Sequence, residues 1–193
     1  MNMSLSDEEK KYLLKLARDT ISNALNRLNE PAVDLDALTE SLREPGASFV
    51  TLTMRGNLRG CIGSLEAHQS LALDVREHAY QAAFEDYRFP PLTKAELPDI
   101  HIEISRLTQP VELKYDAPRD LARALTPGVD GVILQDGFRR ATFLPQVWEQ
   151  LPQVESFLAH LCVKMGSTAD LWQHKMLKVK TYRVEEFREY ADQ

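Results

Sequence analysis

The chain has 193 residues, 44% hydrophobic and 27% charged, with a formal charge of −6 and a pI near 5.4. These values suit a self-sufficient globular core, exclude disorder on a large scale, and argue against nucleic acid as the main partner, since a phosphate backbone wants a basic face. Cys61 and Cys162 are too few for a disulfide framework. No run reaches the roughly 20 apolar residues of a membrane span, and no signal peptide opens the chain, so a cytoplasmic protein without a membrane partner is expected.

In chain order, Ser6 with Glu9 forms a capping-box pattern, followed at helical spacing by Leu13, Leu14, Ala17, Ile21, Ala24, Leu25 and Leu28, up to Pro31. A weaker helical segment is expected around Leu35 to Leu42. From Ser48 the period changes to two. Phe49 to Met54 reads as a strand, Gly56-Asn57 as a tight turn, and Leu58 to Ile62 as the return strand. Ser70 is placed to cap a helix through Leu71, Val75, Ala79 and Ala82 towards Asp86, which Phe89-Pro90-Pro91 ends. Thr93 with Glu96 is a second capping box, and Ile100, Ile102 and Ile104 alternate as a half-buried strand.

The second half repeats the order. Val132 to Gln135, Asp136-Gly137 and Phe138 to Phe143 form a hairpin, Val154 to Met165 a helix capped by Gly166, and Lys178 to Val184 a last strand. The fold class expected is α/β (α+β). Residues 1–193 form a single two-lobed domain, with a mixed or antiparallel sheet, helices packed on it, and a hairpin–helix–strand unit used twice.

The segment Arg55 to Gly63 stands out for function. Gly56 is explained by a turn, but Gly60 and Gly63 on either side of Cys61 are not. Glycine within a strand marks a bulge or a close approach to the backbone. Free amides there, with Arg55 and Arg59, could hold a small anion, and the same surroundings would activate the Cys61 thiol. Arg139-Arg140 is another local basic patch. A base for Cys61 is not specified: His68 lies seven residues on, and a Cys61, His68, Asp86 grouping is merely allowed. Cys162 sits on an apolar helical stripe and reads as core, and His78 as a boundary packing residue. Asp86 and Arg88 either help to form a polar site or pair with each other at the helix end. No Cys-x-x-Cys, His-x-x-x-His or Gly-x-Gly-x-x-Gly occurs, so neither a metal nor a nucleotide cofactor is expected.

Leu58-Arg59-Gly60-Cys61-Ile62-Gly63 resembles the signature of the AMMECR-one domain family. Further matches are Asp86 to Leu92, Gly128 to Val132, Phe143 to Val147, and Leu161 to Gly166. Tyr87 departs from the proline expected in many relatives. The resemblance implies a two-lobed α/β domain with an antiparallel sheet and the signature hairpin facing a cleft. It also implies, as partners, a Memo-type protein and a radical SAM enzyme, and it specifies no reaction. Two functional readings follow. One is a small-ligand or partner-binding domain that uses Arg55, Leu58, Arg59, Gly60, Ile62, Gly63, Asp86 and Arg88. The other is an enzyme or enzyme component with Cys61 as nucleophile on a small anionic substrate.

Overall fold

The computed structural model describes residues 4–189, and its chain divides into two compact units. The first runs to Leu107 and resumes at Glu185; the second is Thr108–Val184.

The first unit opens with helix α1, Asp7–Leu25, whose capping box forms as the sequence indicates: Ser6 N donates to Glu9 Oε2 at 2.7 Å and Glu9 N to Ser6 Oγ at 3.2 Å. The helix stops three residues short of Leu28. Arg27 takes a left-handed φ of 58°, Leu28 N donates to Asn23 O and Arg27 N to Ala24 O, which is the Schellman closure. Leu28 therefore stands 62% exposed instead of extending the buried stripe. The segment expected around 35–42 resolves into a single 3-10 turn, Leu35–Ala37, and a short helix α2, Glu40–Arg43.

Strand β1, Pro45–Met54, pairs antiparallel with β2, Asn57–Gly63; after β3, Gln69–Ser70, helix α3, Leu71–Phe84, leads to β4, Ile100–Leu107. The sheet order is β2-β1-β4-β9, where β9 is Val184–Arg188, and β3 also pairs with β1. Side chains alternate between the two sheet faces. Val50, Leu52, Ile102 and Ile104 meet Val75, Ala79 and Ala82 of α3 and Leu13, Ala17 and Ile21 of α1 in one buried cluster.

The second unit holds β5, Val111–Glu112; α4, Leu121–Ala124; β6, Gly131–Asp136; and β7, Arg139–Phe143. Short helices α5, Val147–Gln150, and α7, Leu171–His174, flank α6, Val154–Lys164, and β8, Lys178–Tyr182, follows. Its sheet order is β5-β8-β6-β7. Val132, Leu134 and Val179 on one face pack with Trp148, Phe157, Leu161, Cys162 and Trp172 in a second buried cluster, where the Trp148 and Phe157 rings stack at 3.6 Å. Gly166 closes α6 as expected, at φ 81°.

The repeated order is visible in the topology. In each unit the first hairpin strand lies between its partner and the strand that follows the helix: β2-β1-β4 in one, β7-β6-β8 in the other. One expected element divides. The strand read as Lys178 to Val184 breaks at Arg183, and the chain continues as β9 into the first sheet. Thr108 N donates to Arg183 O and Arg183 N to Thr108 Oγ1, both at 2.8 Å, drawing together the two ends of the second unit. Among the described residues no helix is long and apolar enough to cross a membrane.

Candidate functional site

The β1–β2 hairpin turns at Arg55-Gly56, one residue earlier than the sequence suggests. Both take positive φ, 52° and 79°, as a type I′ turn requires, and Met54 pairs with Asn57. The register runs Thr51↔Cys61 and Leu52↔Gly60, then shifts to Thr53↔Leu58, leaving Arg59 as the extra residue of a bulge. The bulge turns the Arg59 side chain inward. It is 9% exposed, and Nε and Nη2 reach the two Glu96 oxygens at 2.8 and 3.2 Å. Glu96 also accepts from Thr93 N and Oγ1. Arg59, aided by Thr93, holds the Glu96 carboxyl at about 2, below its ordinary 4.5.

Gly60 and Gly63 are explained by close approach. A side-chain carbon on Gly60 would strike the Ala82 carbonyl of α3, and one on Gly63 the Phe49 ring and the Ser48 carbonyl.

Cys61 lies on the edge strand, so its outward peptide groups need partners from elsewhere. The loop after α3 supplies both. Cys61 N donates to Asp86 Oδ2 at 2.9 Å, and Arg88 Nη2 donates to Cys61 O at 3.0 Å. Asp86, 4% exposed, also receives Arg88 Nε at 2.9 Å, Arg88 Nη2 at 2.7 Å and the Arg88 amide at 3.1 Å. The Arg88 guanidinium, with the two amides, holds the Asp86 carboxyl well below the usual carboxylate range against the opposing effect of burial. Asp86 and Arg88 pair with each other, one of the two alternatives left open by the sequence, and the pair grips the Cys61 backbone.

The Cys61 side chain lies on the sheet face opposite the buried cluster, half-buried, with Thr51 Oγ1 donating to Sγ at 3.2 Å. Glu103, opposite Thr51 on β4, is two strands away, about 10 Å by strand spacing, and pairs with Arg188 at 3.6 Å. His68 is largely exposed, with Nε2 3.9 Å from Glu66, and makes no hydrogen bond to Cys61 among the described residues. Arg55 stands out in solvent, 3.5 Å from Asp99. Leu58 is 45% exposed, while Ile62 packs against the first buried cluster. Beside the clamp Tyr87 is 95% exposed, and the Arg88 guanidinium lies 5.6 Å from the Phe89 ring centre.

Glu96 and Thr51 escaped the sequence reading as site neighbours. Glu96 was visible only as a local cap, and nothing in its spacing connects it to a residue 37 positions away. Elsewhere, Cys162 is fully buried and its thiol is pushed up by that burial. His78 is buried with Nδ1 3.2 Å from Asp74, off the line of a hydrogen bond, while Ser48 donates to Asp74 at 2.6 Å. No three His, Cys, Asp or Glu side chains converge as a metal-ligand set among the described residues.

Comparison with known proteins now decides the kinship. The AMMECR1 family model matches residues 14–187. The chain belongs to the AMMECR1 family. Relatives include a protein of Methanothermobacter thermautotrophicus, 36% identical over 190 residues and covering 96% of each chain, and one of Sulfolobus acidocaldarius, 38% identical over 190 residues, covering 93% of this chain and 81% of its own. The crystal structure of the uncharacterised protein PH0010 from Pyrococcus horikoshii superimposes with a TM-score of 0.76 at 31% identity, over 96% of this chain and 93% of that one. The segment Leu58 to Gly63 is thus a bulged edge strand whose arginine and cysteine backbone are held, and whose glycines are closely approached, by other parts of its own unit.

Proposed function

We propose that this AMMECR1 chain is a binding domain that recognises a partner protein through the clamped hairpin and the loop at residues 86–89. One observation carries the reading: two of the groups best suited to hold a small anion, the Cys61 amide and the Arg59 fork, are engaged internally. Asp86 occupies the Cys61 amide, and Glu96 occupies the Arg59 fork. What faces solvent instead are Tyr87, Leu58 and the half-exposed Arg88, the last held by Asp86. Tyrosine and arginine are the residue types that dominate protein interfaces, and pre-organisation lowers the entropic cost of docking. The Memo-type protein and the radical SAM enzyme implied by the family resemblance are the partners to try first.

The test is biolayer interferometry of the whole chain against those two proteins, with Tyr87→Ala, Leu58→Ser and Cys61→Ser variants. We expect Tyr87→Ala to weaken one of the interactions about tenfold or more, as an interface anchor does, and Cys61→Ser to leave it intact. Equal binding by all variants, or loss of binding in Cys61→Ser alone, would sink the proposal.

A second reading rests on the Thr51 hydroxyl at the Cys61 sulfur. In that reading the half-buried thiol beside Thr51 is a nucleophile acting on a small anionic substrate. Site-resolved alkylation across pH separates the two. Cys61 labelling well below the ordinary thiol pKa of about 8.5, while buried Cys162 stays silent, supports the nucleophile, and labelling no faster than Cys162 removes it.

A further inference from the structure

The sheet of the second unit has a face that its hydrophobic cluster does not use. The registers set two rows across it: Lys178, Gln135 and Arg140 in one, and Glu112, Lys180, Ile133 and Thr142 in the other. Val132, Leu134 and Val179 point the opposite way, into the cluster. Over the two rows lies a cavity of about 380 Å³, lined by Lys178, Lys180, Arg140, Gln135 and Glu112, with Ile133 at its floor, 5% exposed.

The two lysines are the informative members. Both are exposed, and neither side chain makes a hydrogen bond or ion pair among the described residues. Their neighbour Lys175, by contrast, is held by Asp136 at 2.8 Å. Residues two apart on one strand place their Cα atoms about 6.8 Å apart on the same face, so both ammonium groups stand on the same side of the sheet, within reach of one ligand. The wider charge distribution has the same sense. Thr108–Val184 contains ten Lys and Arg against eight Asp and Glu, a balance of +2, so the rest of the −6 chain carries −8.

We propose that this groove binds a small oxyanion of more than one negative charge, a phosphoryl group or a polycarboxylate, held between Lys178 and Lys180 with its carbon frame over Ile133. Lysines serve such groups as point charges. The volume lies at the lower end of small-molecule sites, and the strongly acidic remainder of the chain would repel a nucleic-acid backbone. Glu112, directly across from Lys180, repels an anion from that end and directs it towards Lys178.

The experiment is isothermal titration of the whole chain with pyrophosphate and, separately, with tricarballylate, at low and at physiological salt. We expect one of them to bind saturably at one site, more weakly as salt rises, and the Lys178→Gln/Lys180→Gln double variant to lose at least tenfold in affinity. Which anion saturates distinguishes phosphoryl from carboxylate recognition. Absence of saturable binding by either anion at millimolar concentration, or undiminished binding in the double variant, overturns the proposal. Should the double variant fail to fold, protection of Lys178 and Lys180 from acetylation by the bound anion in wild type, with Lys114 as control, decides the same question.

Discussion

A single methyl at Gly60 would sit against the Ala82 carbonyl oxygen, closer than real side-chain carbons come. Backbone on backbone cannot yield as a flexible side chain would. We therefore expect Gly60→Ala to lower stability by about 1–3 kcal/mol, the usual cost of overpacking, read as a shift in the urea midpoint at unchanged slope. Arg59 makes a second prediction. Its partner Glu96 has a folded pKa of about 2 against an ordinary 4.5. A depressed carboxylate stabilises the fold fully above its unfolded value, and that contribution disappears as pH falls from about 4.5 through 2. Glu96→Gln should flatten this part of the acid limb measured by urea unfolding at successive pH values. An unchanged limb would show that the ion pair contributes nothing. At this scale the sequence located the segment but not its wiring. Three glycines and two arginines around Cys61 were conspicuous and Asp86 was named as a candidate, but not as the acceptor of the Cys61 amide, and Glu96, 37 residues beyond Arg59, is linked to it by no periodicity.

Elements were legible where a residue type imposes the backbone on its own. Gly166 closes α6 where expected, but α1 ends in the same closure with Arg27 in the left-handed position, and an arginine gives no warning of it. The hairpin turn slipped by one residue for the same reason: Arg55 takes a positive φ that Asn-Gly chemistry would have assigned to Asn57. Period-two alternation identified β1 and β4, but it could not show that the last strand changes sheets at Arg183, because Lys178 to Val184 carries no glycine or proline to mark a break. The turn makes a testable case. Left-handed backbone costs a non-glycine residue about 1–2 kcal/mol, and asparagine tolerates it better than arginine. The exposed Arg55–Asp99 pair at 3.5 Å offsets little of that in water. Arg55→Asn should accordingly raise stability by about 0.5–1 kcal/mol in thermal or urea unfolding, and a loss instead would mean that the ion pair outweighs the strain.

The described residues form two buried clusters on two sheets, joined by the chain at Leu107–Thr108 and Val184–Glu185. Both tryptophans, Trp148 and Trp172, lie in the second cluster, whereas helical and strand backbone is shared between the units. Their fluorescence reports on Thr108–Val184 alone, and far-ultraviolet dichroism reports on both units. Cooperative units with their own cores open with their own free energies. The two clusters also differ in chemistry: the second relies on large aromatic rings such as Trp148 stacked on Phe157, the first on small aliphatic contacts of α1 and α3 with β1 and β4. Their charge differs as well, +2 for Thr108–Val184 against −8 for the remainder, so added salt screens repulsion chiefly in the acidic unit. We expect fluorescence and dichroism midpoints in urea to separate, and added salt to move the dichroism transition more than the fluorescence one. Coincident transitions by both probes at every salt concentration would mean that one cooperative unit spans both clusters, and stability would then be a property of the whole chain.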